Sequence, residues 1–286
     1  MGKRLSAPAL AARKVAKGAE PLVMVTAADY PSGRMIAETD ADMILVGDSL
    51  AMVVLGYNDT LQVTVDDMAH HTAAVARAKP KQLIVGDLPW MSYHVSVEDT
   101  VRNAAKLIRA GAGAVKLEGG MARVPMVEAI ASAQIPVMGH VGLTPQSVHA
   151  MGGFRVQGKS AEAAHALIAD AKALQAAGCF AIVVEGVPRQ VGDLVTASVD
   201  IPTIGIGAGP GCDGQVLVLH DLLGLQDDFI AKFVRQYANL KADSIAGINA
   251  YVADVRSGAF PDDSESYHIA DDQAEALGLY GKGNER

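Results

Sequence analysis

Cysteine is scarce: Cys179 and Cys212 are the only two in 286 residues, and they form no CxxC pair. That excludes a disulfide framework and a thiolate metal cage, and it suits a reducing compartment, so the expected localisation is cytoplasmic. Long apolar runs are missing too. None approaches the roughly 18 residues of a spanning helix, and no membrane partner is expected. Basic residues are in deficit, with 24 Lys and Arg against 32 Asp and Glu and a net charge of −8, which argues against nucleic acid. An acidic chain can still hold an anionic substrate, but only through a local cation, either Lys/Arg or a metal. Aromatic residues make up only 5%, yet hydrophobic residues reach 50%, enough for a large core and against disorder.

What is present is an alternation. Short aliphatic runs fall at residues 22–26, 43–47, 82–86, 114–117, 136–140, 180–184, 203–206 and 216–219. Between them lie stretches of helical period, such as residues 65–78, 97–110, 161–177 and 191–198. Near-continuous apolar strands joined by helices imply a parallel sheet covered on its outer face. Eight such units imply closure into an α/β fold, the (β/α)₈ TIM barrel, with the link between strands seven and eight the least regular. Glycine stands where helices stop, as in Ala110-Gly111 and Ala177-Gly178. Residues 143–160, with three glycines, are a candidate mobile loop over the site. Residues 1–261 read as one barrel with an N-terminal helical segment, and residues 262–286 as an acidic, polar tail. Lys3, Arg4, Arg13, Lys14 and Lys17 precede the first acid. A solvated N-terminal helix is a simpler reading of them than a transit signal, or than acylation at Met1-Gly2.

In such barrels the active site lies at the C-terminal ends of the strands, so polar residues that end apolar strands are the candidates. Asp48 follows Ile44-Leu45-Val46-Gly47, and Asp87 follows Leu83-Ile84-Val85-Gly86, the same pattern on strands two and three. Strand four ends Val115-Lys116-Leu117-Glu118, and residues two apart share a face, so Lys116 and Glu118 point the same way. Three converging carboxylates repel one another in a low-dielectric pocket unless a divalent cation relieves them. All-oxygen donors favour Mg²⁺ first and Mn²⁺ second. The plainer alternative is that one Asp caps a helix and Glu118 pairs with Lys116.

Glu185 ends strand six, across the mouth from that group. The position suits a base better than a fourth ligand, with an internal salt bridge as the alternative. His140 ends strand five, either hydrogen-bonding substrate or a ligand carboxylate, or serving as a satisfied structural histidine. Gly205-Ile206-Gly207-Ala208-Gly209 follows strand seven, where barrels often bind phosphate, though glycine there equally admits a bulky ligand or a tight turn. Asp213-Gly214-Gln215 turns the chain into strand eight.

Several motifs stand in register with a known family. Val46-Gly47-Asp48-Ser49-Leu50, Val115-Lys116-Leu117-Glu118-Gly119-Gly120, Gly139-His140-Val141-Gly142-Leu143-Thr144-Pro145-Gln146-Ser147 and Gly205-Ile206-Gly207-Ala208-Gly209 resemble ketopantoate hydroxymethyltransferase. The similarity runs in order from about residue 20 to residue 261. The resemblance implies a barrel of the phosphoenolpyruvate/pyruvate-like type. It also implies transfer of a one-carbon unit from 5,10-methylenetetrahydrofolate to 3-methyl-2-oxobutanoate, giving 2-dehydropantoate on the route to pantothenate. By position, Asp48 and Asp87 match the family's magnesium ligands and Glu118 its third metal-site carboxylate. Ser49 and Lys116 match substrate-binding positions, and Glu185 matches the proton acceptor. The partners implied are a small 2-oxo acid, folate, and further copies of the chain in a homo-oligomer, commonly a decamer.

Two departures stand out: Ala51 where the family has Gly, and Glu265-Ser266-Tyr267 near its usual end. The nearest rival is a Mg²⁺-dependent barrel of the phosphoenolpyruvate mutase and isocitrate lyase kind, whose Lys-Lys-Cys-Gly-His-type loop is absent here. A non-catalytic scaffold is the other rival.

Overall fold

The structure is a computed structural model that describes residues 4–227 and 230–279. Residues 1–238 group into one compact unit and residues 239–286 into a second, so the barrel unit ends 23 residues before the expected boundary at 261. Met1-Gly2 and Lys3 lie outside the described residues.

The first unit is a closed, all-parallel barrel of eight strands in sequential order. They are β1 (Leu22–Thr26), β2 (Met43–Val46), β3 (Leu83–Asp87), β4 (Ala114–Glu118), β5 (Val137–Gly142), β6 (Ala181–Glu185), β7 (Thr203–Ile206) and β8 (Gly214–Leu217).

Two-residue periodicity divides the strand residues between two cores. Met43, Leu45, Leu83, Val85, Met138 and Val183 fill the barrel interior. Ile44, Val46, Ile84, Val115, Ile182 and Val184 face the helices. Continued towards the C-terminal ends, the interior set runs from apolar to polar. Val85 gives way to Asp87, Ala114 to Lys116 and Glu118, Met138 to His140, and Val183 to Glu185. The same alternation that builds the core therefore delivers the chemistry to one end of it.

The helices start and stop where local chemistry directs. Thr64 and Asp67 form a capping box ahead of Val65–Arg77, and Ser96 caps Val97–Arg109, with acids in both first turns and bases in both last turns. Gly111 ends the second of these with φ +113°, where a Cβ would lie 2.4 Å from that of Ala76. Helices Tyr30–Ala37 and Val124–Ser132 complete the early crossovers. No helix joins β7 to β8, only residues 207–213, as the irregular spacing suggests.

The N-terminal segment corrects one expectation. Its helix, Ala7–Ala11, is not solvated: Ala7 and Leu10 are buried in the interior core of the barrel. Lys14 is 4% exposed, and its Nζ sits 2.8 Å from Asp213 Oδ2 while donating to the carbonyls of Thr196 and Ile201. Asp213 also accepts the N–H groups of Val15 and Thr203, so it does more than turn the chain. A basic segment read as surface is tied in by a buried ion pair.

In the second unit Asn239 caps an 18-residue helix, Leu240–Ser257. The expected tail contains a short turn of helix at Asp263–Glu265, capped by Asp262, and a helix at Asp271–Ala276. Among the described residues no helix is long and apolar enough to cross a membrane.

Candidate active site

The C-terminal ends of the strands open on a cavity of about 490 Å³ that is lined by Asp48, Ser49, Asp87, Lys116, Glu118, His140 and Glu185. Every site residue picked out in the sequence is among them. Asp48, Asp87, Lys116, Glu118 and His140 are buried, and the Glu185 side chain is 16% exposed.

Strand register sets their order around the rim. Asp87 pairs with Lys116, Glu118 with His140, and Gly142 with Glu185. Gly142 has φ +97°, and a Cβ there would lie 2.2 Å from the Glu185 carbonyl, so glycine permits the close approach of β5 to β6. Lys116 Nζ is 3.0 Å from Asp87 Oδ1. His140 bridges the two sides of the mouth, with Nδ1 3.4 Å from Glu118 Oε1 and Nε2 3.2 Å from Glu185 Oε2. Glu185, expected to stand apart from the acids across the mouth, is thus linked to them through one imidazole. Ser49 precedes the short helix Leu50–Val53 without capping it, which leaves its hydroxyl available to the cavity. The methyl of Ala51 is fully buried away from these groups.

Burial raises the pKa of Asp48 well above the ordinary carboxylate value, and the charges of Asp87 and Glu118 add to it. Burial likewise raises Asp87, although Lys116 opposes the shift. For Lys116, burial works against the charge, but Asp87, Glu118 and Asp48 outweigh it and hold the pKa above the ordinary lysine value. His140 behaves alike: burial and Lys116 lower it, hydrogen bonds to Glu118 and Glu185 raise it, and the balance is about 9. The acids Asp48, Asp87, Glu118 and Glu185 thus crowd one end of the barrel beside Lys116 and His140, a setting in which a divalent cation relieves carboxylate repulsion.

Each of the three carboxylates Asp48, Asp87 and Glu118 has one oxygen held from behind. Asp48 Oδ2 accepts from Gln146 Nε2 at 2.7 Å, Asp87 Oδ2 from the Asp48 N–H at 3.1 Å, and Glu118 Oε2 from the Gln146 N–H at 3.0 Å. Asp87 Oδ1 is buried without an aligned donor. The second oxygens of Asp87 and Glu118 face Lys116 and His140, and hard oxygen donors of this kind fit a divalent cation of the Mg²⁺ kind. Among the described residues no three His, Cys, Asp or Glu side chains stand close enough together to hold a metal ion as they are placed. Two residues of this architecture escaped sequence reasoning. Gln146 lay inside a motif noted only as a resemblance, and Tyr93 carried no signal at all.

The glycine-rich segment after β7 has a packing role. A Cβ on Gly207 would lie 2.7 Å from the Phe233 ring, and one on Gly209 2.7 Å from Arg189.

Residues 4–263 match the family described as ketopantoate hydroxymethyltransferase. The chain belongs to this family. It is 56% identical over 265 residues to the 3-methyl-2-oxobutanoate hydroxymethyltransferase of Moorella thermoacetica, covering 92% of this chain and 98% of that one. It is 54% identical over 258 residues to the enzyme of the same name from Clostridium botulinum, covering 90% and 93%. Membership makes the chain an enzyme of the hydroxymethyltransferase class. Among solved structures, 2,3-dimethylmalate lyase superposes with a TM-score of 0.59 at 17% identity, covering 96% of each chain. Oxaloacetate acetylhydrolase bound to 3,3-difluorooxalacetate gives 0.56 at 14% identity over 94% of each. At such identities the likeness is one of fold, and the ketopantoate hydroxymethyltransferase family, not the lyases, accounts for the sequence.

Proposed function

We propose that this chain transfers a hydroxymethyl group from 5,10-methylenetetrahydrofolate to 3-methyl-2-oxobutanoate, giving 2-dehydropantoate in pantothenate biosynthesis. The observation that carries the reading is the joining of Asp48, Asp87, Glu118, Lys116 and Glu185 around one cavity. Asp48, Asp87 and Glu118 would hold Mg²⁺, which when bound withdraws charge from the 2-oxo group, a Lewis-acid effect worth several kcal/mol.

The chain's own residues do the rest. Lys116 and Ser49 bind the carboxylate and 2-oxo oxygens of the acid, and Lys116 offsets the negative charge that develops there. Glu185 accepts the C3 proton as general base. His140 lies between Glu185 and Glu118, Nε2 3.2 Å from the first and Nδ1 3.4 Å from the second without an aligned hydrogen bond at Nε2, and would position the Glu185 carboxylate by its charge. The electron pair left on C3 forms the new bond to the one-carbon unit of the folate. One water supplies the hydroxyl group, and tetrahydrofolate leaves. In the same reading the working form is a cytoplasmic homo-oligomer, a decamer by analogy with the family.

Proton NMR of 3-methyl-2-oxobutanoate in D₂O tests the proposal without folate. Loss of the C3 proton signal with enzyme and Mg²⁺, and its persistence with EDTA, is the expected result. Persistence of the signal with folded, metal-loaded enzyme, even after tetrahydrofolate is added, would sink it.

A further inference from the structure

Behind the cavity lies a hydrogen-bond circuit whose direction is set by the backbone. The Glu118 N–H donates to Tyr93 Oη at 3.2 Å, so the phenol spends its acceptor side there. Its single hydrogen is then left for Gln146 Oε1, 2.5 Å away. With Oε1 engaged, the Gln146 amide has one orientation only. Its NH₂ group must face Asp48 Oδ2 at 2.7 Å and the Leu88 carbonyl at 3.0 Å, both of which are acceptors. The Gln146 backbone N–H closes the circuit on Glu118 Oε2. Tyr93 is 1% and Gln146 5% exposed, and neither lines the cavity. Arg123 lies over the Tyr93 ring, 5.6 Å from its centroid, on the far side of the site.

We infer that Gln146 is the positioning residue of the cation site: its amide grips Asp48 from behind while its backbone N–H grips Glu118, and Tyr93 locks the amide so that Asp48 presents its other oxygen to the ion. An amide is the one side chain that suits the place. A carboxylate would oppose Asp48 with like charge, and a shorter amide would not span from the start of the loop after β5 to the end of β2. The circuit joins residues that follow β2, β3 and β5 to the end of β4, so one residue, through its side-chain amide at Asp48 and its backbone N–H at Glu118, links carboxylates 70 positions apart. Groups that orient metal ligands in this way typically govern about 10- to 100-fold in metal affinity.

Mn²⁺ serves as the probe, titrated into the full chain without substrate and followed by electron paramagnetic resonance. Gln146→Ala and Gln146→Glu are expected to raise the Mn²⁺ Kd at least tenfold. Tyr93→Phe is expected to raise it several-fold, because the amide is then free to turn its oxygen towards Asp48. A purely structural role would not produce the next result: in the Gln146→Ala background, Tyr93→Phe raises the Kd by clearly less than it does alone, since Tyr93 acts mainly through Gln146 and keeps only its contact with the Glu118 N–H. Should Gln146→Ala fail to fold, Gln146→Glu and Tyr93→Phe carry the test. Wild-type Mn²⁺ affinity in these folded variants, or additive losses in the double variant, overturns the assignment. The role rests on the proposed cation site, and the two fail differently. If the wild-type chain takes up no Mn²⁺, the cation reading itself falls, and this role with it.

Discussion

At the residue scale the decisive question is what Glu185 does, because its position allows two roles. It lies 3.2 Å from His140 Nε2, and His140 lies 3.4 Å from Glu118, so an acid of the metal group and the proposed base share one imidazole. A base and a fourth ligand respond differently to substitution. Glu185→Gln keeps the shape and removes the proton acceptor. As a base, its loss lowers C3 proton exchange by about 10²- to 10⁴-fold, the usual range for general base catalysis, and leaves the Mn²⁺ Kd unchanged. As a ligand, its loss weakens Mn²⁺ binding first. Exchange measured by NMR beside Mn²⁺ titration separates the two, and wild-type exchange in Glu185→Gln would remove it from the mechanism.

At the scale of elements, the N-terminal helix shows how much a short segment can contribute when it is built into the core. Leu10 is 1% exposed within the interior cluster, and Lys14 forms an ion pair with Asp213 in which both side chains are at most 5% exposed. Leu10→Ala is expected to cost about 2–5 kcal/mol, the range for emptying a buried leucine site. Lys14→Met leaves the Asp213 charge buried and unpaired, a loss of about 3–5 kcal/mol, and adding Asp213→Asn recovers part of it. Urea denaturation checks both, and losses below about 0.5 kcal/mol, typical of surface positions, would show that the segment is peripheral.

This element also marks the limit of what the chain discloses to direct reading. The eight strands were legible because their aliphatic runs are short, β-branched and regularly spaced, and observed boundaries differ from the expected ones by at most two residues. The acids at the strand ends were legible for the same reason, since a polar residue on the inward parity of an apolar strand has nowhere to go but the cavity. Lys14–Asp213 and Gln146–Asp48 were not legible. Their partners lie 199 and 98 positions apart, and nothing local distinguishes a lysine that finds a buried acid from one left in water. The helix Leu240–Ser257 was not read either, although Ile245, Ile248, Val252 and Val255 recur along it at helical spacing.

At the scale of the whole molecule, the buried charges make stability depend on pH and on the cation together. His140 has a folded pKa of about 9, above its ordinary value, so its contribution is complete below about pH 6.5 and is lost as pH rises through 9. Asp48 and Asp87, both raised, shift stability in the same direction: each favours the chain while protonated and penalises it once ionised. The metal-free chain is therefore expected to be less stable at pH 8 than at pH 6. A divalent cation needs those carboxylates ionised, so its binding releases protons and its stabilising effect grows as pH rises. Mg²⁺ at about 100 times its Kd should add about 2.7 kcal/mol at pH 8, a rise of several degrees in Tm, and clearly less at pH 5.5. Asp87→Asn should reduce the Mg²⁺ increment and part of the alkaline loss together, because one carboxylate contributes to both. Thermal unfolding in Mg²⁺ and in EDTA across this range decides the matter. An increment independent of pH, or one retained in full by Asp87→Asn, would place the stabilising ion somewhere other than the end of the barrel where these charges meet.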